Sequence, residues 1–281
     1  RQEFRNKKHV AQWGQTLQTY VLPTIGNLSV DDIETAHVLK VLEPIWNTKT
    51  ETATRVRQRI EKVFDWAQAR GYRSGANPAR WDGHLKELLP QPAKIRTVQH
   101  FKALPYKQAP EFFARLQRQK GTAARALQFA ILTAARSGEV RGGSWPEIDM
   151  QAMVWTVPAD RMKGHKEHRV PLSKSALTLL SDLPRFAGTD LLFPSTTNTR
   201  LSDTALLQVC RRMHAAAVPH GFRASFKTWA AHETAYPRDV VEAALAHTPE
   251  NPKLEAAYQR GDLLEKRRLL MDDWARFCGS K

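Results

Sequence analysis

Apolar residues recur along most of the chain at the spacing of one face of a helix. The clearest pattern runs from 50 to 70, where a stripe of apolar positions predicts an amphipathic helix with one buried side. That stripe consists of Val56, Ile60, Val63, Phe64 and Ala67. Further helices are predicted at about 8–21, 31–46, 110–119, 122–135, 173–183 and 202–213, with several more toward the C-terminus. The chain is therefore predicted to be mainly α-helical.

One interval departs from the helical pattern. Between 145 and 173, two runs rich in β-branched and aromatic residues, 153–157 and 168–170, flank a polar turn that contains Lys163 and Gly164. Two short β-favouring runs around a glycine-containing turn are typical of a β-hairpin. We therefore expect a small antiparallel sheet inside an otherwise α-rich region.

The chain's 281 residues are enough for two domains. The stretch 89–96 holds two prolines and two cations, and this composition predicts an extended, solvated linker. We therefore predict a helical domain at 1–88, a linker at 89–97, and an α-rich domain with the small sheet at 98–281.

Charge indicates the kind of partner. The chain has 43 Lys and Arg against 28 Asp and Glu, a formal net charge of +15 that is spread over both halves. Such an excess predicts binding to a polyanion, either nucleic acid or an acidic membrane surface. The polar side of the helix at 50–70 carries candidate DNA contacts, although a merely solvated helix face would have the same composition. These candidates are Arg55, Arg57, Arg59 and Lys62.

The sequence lacks the signals of several classes of protein. No apolar run approaches the ~20 residues of a membrane-spanning helix, and the first residues show no signal-peptide pattern. Two distant cysteines, Cys210 and Cys278, form neither a disulfide framework nor a zinc motif. Phosphate-binding and dinucleotide glycine motifs are absent, so we expect chemistry without a metal or nucleotide cofactor. The chain does not begin with Met, and we expect an N-terminal part to be missing.

Four short strings in the second region carry candidate chemistry. An apolar helical run ends at Arg136, and Lys163 lies in the predicted turn. His220 and Arg223 open a further helix three residues apart, so both can face one ligand at the positive end of that helix. Each residue also has an ordinary explanation, such as a surface cation or a helix cap.

The last string holds His247 and Tyr258. Pro249 and Pro252 interrupt the helical pattern between them, so we expect His247 to end one helix and Tyr258 to lie on the next. A helix-capping histidine and a buried aromatic residue are the alternative explanations.

The order of these residues, Arg, Lys, His-x-x-Arg, His and Tyr, resembles the active-site set of the tyrosine recombinases, the phage integrase family. The surrounding segments that resemble sequence boxes of the family are 133–149, 169–173, 220–225, 245–247 and 257–258. Gly143 departs from the family pattern, in which a bulkier apolar residue is common, and this predicts a looser turn after Arg136. Within the family the chain is most similar to bacterial prophage and genomic-island integrases, which usually carry a further N-terminal arm-binding domain.

The resemblance implies a fold and a reaction. The region 1–88 is similar to the family's core-binding domain, including the sequence Asn-Pro-Ala-Arg at 77–80 near its end. The region 98–281 is similar to the family's catalytic domain. Members of the family are site-specific recombinases that cleave and rejoin DNA through a 3′-phosphotyrosyl intermediate, and so integrate or excise a mobile element. On this resemblance Tyr258 is the nucleophile.

Elementary chemistry agrees with the other roles that the resemblance implies. A phenol with a pKa of about 10 needs a base, and His220 can accept its proton near neutral pH. Arg136 and Arg223 can clamp the non-bridging oxygens of the phosphate, and His247 can add another donor. Lys163 on the hairpin is the candidate acid that protonates the leaving 5′-oxygen. The covalent bond stores the phosphodiester energy, so neither ATP nor a metal is needed.

The resemblance also implies partners and a location. It predicts double-stranded DNA attachment sites, a tetramer assembled on DNA, an accessory DNA-bending protein, no membrane, and the bacterial cytoplasm close to the nucleoid. The tail at 262–278 is predicted to be an amphipathic helix. It fits either packing on its own domain or docking on a neighbouring copy.

Two other functions remain open. One is a non-catalytic protein, either a decayed integrase or a regulator of recombination, that binds DNA without cleaving it. The intact set of reactive residues argues against loss of the activity. A topoisomerase-like enzyme would share the cleavage step without exchanging strands.

Overall fold

Two separate hydrophobic cores organise the chain. The computed structural model describes residues 7–95, 101–247 and 263–280. The chain divides into two compact units, Arg1–Gln99 and His100–Lys281, and each has a hydrophobic core of its own. Among the described residues no helix is both long and apolar enough to span a lipid bilayer. The prediction of a mainly α chain with one small antiparallel sheet is confirmed.

The first unit is built from helices. They are α1 (Lys7–Tyr20), α2 (Leu22–Ile25), α3 (Thr35–Trp46), α4 (Thr50–Ala69) and the short α5 (Pro92–Ile95), with a 3₁₀ turn at Leu85–Glu87. In α4 the predicted stripe is buried at Val56, Ile60 and Phe64, whereas Val63 is exposed. Gly71 follows α4 with a φ of 74°, a left-handed conformation that is typical of a helix end.

The second helix of this unit is shorter than predicted. It begins at Thr35 rather than at Asp31. The reason is a reciprocal cap, in which the Glu34 side chain accepts from the His37 backbone and the His37 ring accepts from the Glu34 N–H at 3.1 Å. This cap fixes the helix start four residues later than the apolar pattern indicated.

The predicted linker is not extended throughout its described part. Leu89 is buried in the core of the first unit, and the indole N–H of Trp46 donates to the Pro90 carbonyl at 2.8 Å. The helix α5 follows directly. Pro92 therefore starts a helix, and Leu89 and Pro90 are bound to the first unit.

The second unit surrounds one buried helix. Its helices are α6 (Ala109–Gln117), α7 (Thr122–Thr133), α8 (Ser137–Arg141), α9 (Lys174–Ser181), α10 (Ala205–Arg212), α11 (Gly221–Glu233), α12 (Arg238–Ala244) and α13 (Leu264–Gly279), with 3₁₀ turns at Tyr106–Gln108 and Trp145–Glu147. Every residue of α7 from Ala126 to Thr133 is buried, as expected of a central helix. The tail helix α13 packs on its own unit, where Trp274 donates to the Ile131 carbonyl at 2.8 Å.

A three-stranded antiparallel sheet completes the second unit. Its strands, in spatial order, are β1 (Ile148–Asp149), β2 (Val154–Val157) and β3 (His168–Pro171). The hairpin β2–β3 agrees with the prediction, with Val157 opposite His168. Strand β1 was not predicted, because two residues are too short to show an alternating pattern. Between β2 and β3, Lys163 is exposed in a turn closed by a hydrogen bond from the His165 N–H to the Met162 carbonyl at 3.2 Å.

Candidate active site

The candidate site is built on the C-terminal end of α12. A helix leaves its last four carbonyl groups without helical partners. Here the N–H of Ala246 donates to the Ala243 carbonyl and the N–H of His247 to the Glu242 carbonyl, both at 3.1 Å. This pair of bonds is a Schellman turn, with Ala246 in the left-handed region at a φ of 47°. His247 therefore lies just beyond a helix end, as predicted, and its position is fixed by the turn.

Two arginines that are distant in sequence bind consecutive carbonyl groups of this turn. Arg223 donates from Nη2 to the Leu245 carbonyl at 2.6 Å. Arg136 donates from Nη2 to the Ala246 carbonyl at 3.0 Å. The turn thus brings together the two guanidinium groups that the family resemblance implies would clamp one phosphate.

Arg223 is a buried cation, and one of its N–H donors is unused within the described part of the chain. Its side chain is 4% exposed, and its Nη1 donates to the carbonyl of Ala134, which ends α7 in the left-handed region. Its Nε is buried and has no hydrogen-bond partner among the described residues. Burial, and then the charge of Arg136, lower the pKa of Arg223 to about 10. An anion bound here would relieve both the desolvation and the repulsion.

Arg136 is held from a second side by a buried carboxylate. Its Nη1 lies 2.8 Å from Oε1 of Glu139, and its backbone N–H donates to Oε2 at 2.9 Å. Glu139 is 4% exposed. This ion pair orients the guanidinium group while the Ala246 carbonyl binds the other Nη.

His220 lies at the start of α11 and interacts electrostatically with Arg136, Lys163, Arg223 and His247. Its ring is exposed, and the Phe101 ring packs against it edge-on at a centroid distance of 4.8 Å. Partial desolvation lowers the pKa of His220 below its ordinary value of 6.5. The neighbouring cationic groups that lower it further are, in decreasing order, Arg223, Arg136, His247 and Lys163. A neutral imidazole at neutral pH suits a general base.

His247 bridges α12 and the buried arginine. Its Nδ1 lies 2.5 Å from Oε2 of Glu242, and its Nε2 lies 3.2 Å from Nη2 of Arg223. Its pKa is lowered chiefly by burial, although the hydrogen bond with Glu242 opposes the shift. The ring is held between a carboxylate and a guanidinium group, so it is oriented before any substrate arrives.

His168 belongs to this site although the sequence marked it only as part of a β-favouring run. It hydrogen-bonds to the backbone of Ala244, and this bond raises its pKa, so the ring donates and the carbonyl accepts. Burial first, and then the charge of Arg267, lower its pKa to about 4. Every backbone carbonyl from Glu242 to Ala246 thus accepts a hydrogen bond. A polar residue at the start of a buried strand was the available signal.

The DNA-binding candidates on α4 divide into two pairs. Arg57 and Arg59 are 6% and 7% exposed. Arg57 donates to the Ala79 carbonyl at 2.9 Å and lies over the Trp81 ring. Arg59 donates to the Gln12 carbonyl at 2.8 Å and lies over the ring of Trp13. Both guanidinium groups therefore bind within their own unit, contrary to the prediction that they lie on a polar face.

The other pair remains available to a partner. Arg55 is exposed and pairs with the exposed Glu51 one turn earlier, at 2.5 Å. Lys62 is exposed as well. The hypothesis of DNA contacts on α4 therefore rests on these two cations.

Two further expectations concern single residues. Tyr258 lies outside the described residues, so its role stays a prediction from the sequence. The turn after Arg136 is not loosened by Gly143. A Cβ at this glycine would lie 3.1 Å from Cδ1 of Leu192 and 3.2 Å from the Val140 carbonyl oxygen. The neighbours fill the space that a larger residue would need.

The fold matches those of solved integrase structures. A structure of a λ integrase dimer bound to a COC′ core site matches with a TM-score of 0.68 at 15% identity, covering 90% of this chain and 92% of that chain. A structure of the Tn1549 transposon integrase with transposon right end DNA matches with a TM-score of 0.64 at 14% identity, covering 98% and 96%. The overall fold is thus that of a tyrosine recombinase.

Sequence comparison gives the family. The sequence model of the phage integrase central domain matches residues 1–84, and that of the phage integrase family matches residues 102–254. The chain belongs to the phage integrase family. Prophage integrase IntA of Escherichia coli strain K12 is 32% identical over 273 residues, which cover 93% of this chain and 63% of IntA. The integrase of Enterobacteria phage P4 is 29% identical over 281 residues, 92% of this chain and 62% of that protein. The chain thus spans somewhat less than two thirds of these relatives.

Proposed function

We propose that the chain is a site-specific DNA recombinase that integrates or excises a mobile element. The observation that carries this proposal is the pair of arginines bound to consecutive carbonyls at the end of α12, with two histidines and a hairpin lysine around them. The relatives named integrases support the same reaction. We assign DNA binding to the first unit and strand cleavage to the second.

Cleavage begins with attack of the Tyr258 phenolic oxygen on a DNA phosphate. A bond forms between this oxygen and phosphorus, and the bond from phosphorus to the 5′-oxygen breaks. The transition state carries extra negative charge on the non-bridging oxygens, which Arg136 and Arg223 stabilise with charge-assisted hydrogen bonds. Because both guanidinium groups are already fixed by backbone carbonyls, they need little reorganisation when the phosphate binds.

Two protons move during cleavage. His220 accepts the phenolic proton, and its lowered pKa keeps the ring neutral and able to do so. Lys163, exposed in the β2–β3 turn, donates a proton to the leaving 5′-oxygen. Rejoining reverses both proton transfers. The energy of the broken phosphodiester bond is kept meanwhile in the 3′-phosphotyrosyl bond.

The partner in this proposal is double-stranded DNA at an attachment site. The structural neighbours include a λ integrase tetramer bound to a Holliday junction and a Tn1549 integrase in complex with circular intermediate DNA. By analogy the chain assembles as a tetramer on DNA, aided by an accessory DNA-bending protein. The formal charge of +15 supports binding to this polyanion.

Capture of the covalent intermediate tests the proposal. The full chain is incubated with a pool of suicide duplexes, each nicked beside a randomised core, and adducts that survive SDS are recovered and sequenced. We expect adducts from the wild-type chain and none from Tyr258→Phe, which lacks the attacking oxygen. Tyr72→Phe is the matched control, because Tyr72 is an exposed tyrosine of the first unit and loses the same hydroxyl group.

The other outcomes separate the remaining functions. Sequence-selective binding without any adduct would replace the proposal with a non-catalytic DNA-binding protein. Adducts that relax a supercoiled plasmid, but never exchange strands between two of the recovered sites, would replace it with a topoisomerase-like enzyme. Equal adduct yields from Tyr258→Phe and the wild type would overturn the choice of nucleophile.

A further inference from the structure

Glu242 connects two helices at the edge of the candidate site. Its Oε2 lies 2.5 Å from Nδ1 of His247, and its Oε1 lies 2.5 Å from Nζ of Lys227 on α11. Its backbone carbonyl also accepts from the His247 N–H, at 3.1 Å. Backbone and side chain of one residue therefore hold the same histidine.

The hydrogen bonds determine which nitrogen of His247 carries the proton. Arg223 approaches Nε2 with Nη2 at 3.2 Å. A guanidinium group can only donate, so Nε2 must accept, and the proton of the neutral ring lies on Nδ1. Glu242, as a carboxylate, accepts that proton. If the imidazole were protonated, the N–H at its Nε2 would face an N–H at Nη2 of Arg223, and two donors would point at each other.

The surrounding charges favour this arrangement. The charged or titratable groups that face the Glu242–His247 pair are Lys227 and Arg223 on α11, Arg238 on α12, and His220 at the start of α11. Hydrogen bonds from Lys227 and His247 outweigh desolvation and keep the pKa of Glu242 below its ordinary value. Burial and Arg223 lower the pKa of His247, so a neutral ring faces an ionised carboxylate.

We propose that Glu242 is a positioning residue that holds His247 as the neutral Nδ1–H tautomer, with its Nε2 oriented to fix Nη2 of Arg223. Lys227 holds the second carboxylate oxygen and so sets the angle of the first. In this state His247 fixes Arg223, which is expected to bind the phosphate. The consequence for cleavage rests on the proposed recombinase function, whereas the tautomer does not.

The tautomer is measured directly. Two-bond ¹H–¹⁵N correlation spectra of the full chain with ¹⁵N-labelled histidine distinguish the two neutral tautomers, and His247→Asn assigns the signal. We expect the Nδ1–H pattern in the wild type and in Glu242→Gln, whose amide oxygen still accepts, and its loss in Glu242→Ala. Glu265→Ala, an exposed carboxylate on α13, leaves the pattern unchanged. An Nε2–H pattern in the wild type, or no change in Glu242→Ala, would overturn the proposal.

Cleavage kinetics test the role of this tautomer. The probe is a suicide duplex recovered with the wild-type chain, and the readout is the single-turnover rate of adduct formation across pH. We expect Glu242→Ala to lower the rate about tenfold or more, as when a partner that orients a histidine is removed. Glu242→Gln should restore most of the rate, with its fall at acid pH moved to lower pH because the carboxylate charge is gone.

The two measurements separate the two proposals. If the wild type forms no adduct, the recombinase function fails while the tautomer result stands. If the wild type forms adducts and Glu242→Ala cleaves as fast as Glu265→Ala, the positioning role of Glu242 is overturned. Circular dichroism of each variant checks that the helices are retained.

Discussion

At the scale of single residues, the two arginines of the candidate site are fixed in different ways. Arg223 is anchored by the carbonyls of Ala134 and Leu245, which orient its guanidinium group without neutralising it. Arg136 pairs with the buried Glu139, which offsets part of its charge. Arg223 therefore keeps more of its electrostatic effect for a phosphate than Arg136 does, in a low-dielectric position where that effect is large.

The first prediction concerns the ionisation of His220. Desolvation is the main cause of its lowered pKa, and Phe101 covers one edge of the ring. Removing that cover with Phe101→Ala should raise the pKa toward 6.5, because water again stabilises the imidazolium form. The neutral base would then be lost at a higher pH, so adduct formation should fall earlier on acidification. Histidine NMR titration measures the pKa, and the pH–rate profile measures the consequence.

A matched variant keeps the apolar cover at this position. Phe101→Leu should leave the pKa of His220 and the acid side of the pH–rate profile close to those of the wild type. If Phe101→Ala and Phe101→Leu titrate alike, cover by Phe101 is not the cause of the shift.

At the scale of secondary structure, two helix ends place the anchoring carbonyls. Both α7 and α12 are followed by alanines in the left-handed region, Ala134 with a φ of 51° and Ala246 with a φ of 47°. The left-handed conformation costs roughly 1–2 kcal/mol for a residue with a Cβ. That strain is tolerated here because the chain turns at these alanines, and the turn points backbone carbonyls toward Arg223 and Arg136.

The second prediction tests this strain at Ala246. Ala246→Gly should leave the free energy of unfolding unchanged or raise it by up to about 1 kcal/mol, because glycine adopts a positive φ without a clash. Ala246→Val should lower it by about 1–2 kcal/mol and reduce adduct formation, since a β-branched residue is strongly disfavoured there. Urea denaturation of the full chain measures both changes.

The control lies three residues earlier, inside α12. Ala243→Val adds the same methyl groups within α12, where the expected cost is only about 0.7 kcal/mol at most. Equal losses at the two positions would show that the left-handed backbone of Ala246 is not the source of the strain.

The third prediction is a dependence of stability on pH through β3. His168 has its pKa lowered to about 4, mainly by burial, so the folded chain holds it neutral while the unfolded chain protonates it near 6.5. Its contribution is thus fully present above pH 6.5 and is lost as the pH falls toward about 4. The shift corresponds to a loss on the order of 3 kcal/mol across that window. Urea denaturation at a series of pH values measures it.

Other groups also titrate in this window, so the comparison is with variants. His168→Gln should show a weaker fall in stability on acidification than the wild type, because no proton is taken up at this position on unfolding. His232→Gln, which changes an exposed histidine on α11, should follow the wild type. A fall in His168→Gln as steep as that of His232→Gln would rule out His168 as the source.

At the scale of the whole molecule, what could be predicted from the sequence was local. The helical period of α4 and the spacing of His220 and Arg223 depend on neighbours a few residues apart. The contacts that assemble the site do not. Arg136 reaches a carbonyl 110 residues further along the chain, and Arg57 is buried because Trp81 covers it. No periodic pattern contains such contacts, so the order of residue types gave the candidates while the backbone of α12 decided their geometry.

The net charge of the chain is likewise divided between structure and binding. Of the four α4 candidates, Arg57 and Arg59 are bound to carbonyls and aromatic rings of their own unit, and Arg55 and Lys62 are exposed. The number of cations in a sequence therefore overstates the number of phosphate contacts. The salt dependence of DNA binding counts the contacts themselves, because each neutralised phosphate contributes a slope of about −0.9.

The fourth prediction is that the double variant Arg55→Gln/Lys62→Gln reduces the magnitude of this slope by about two. Binding of the full chain to a labelled random-sequence duplex is measured by fluorescence anisotropy over a series of KCl concentrations. Lys266→Gln/Arg276→Gln removes the same charge from the exposed side of α13 and should leave the slope unchanged, because counterion release depends on contacts and not on net charge. Equal reductions in the two double variants would instead assign the effect to overall charge, and α4 would lose its place in the DNA interface.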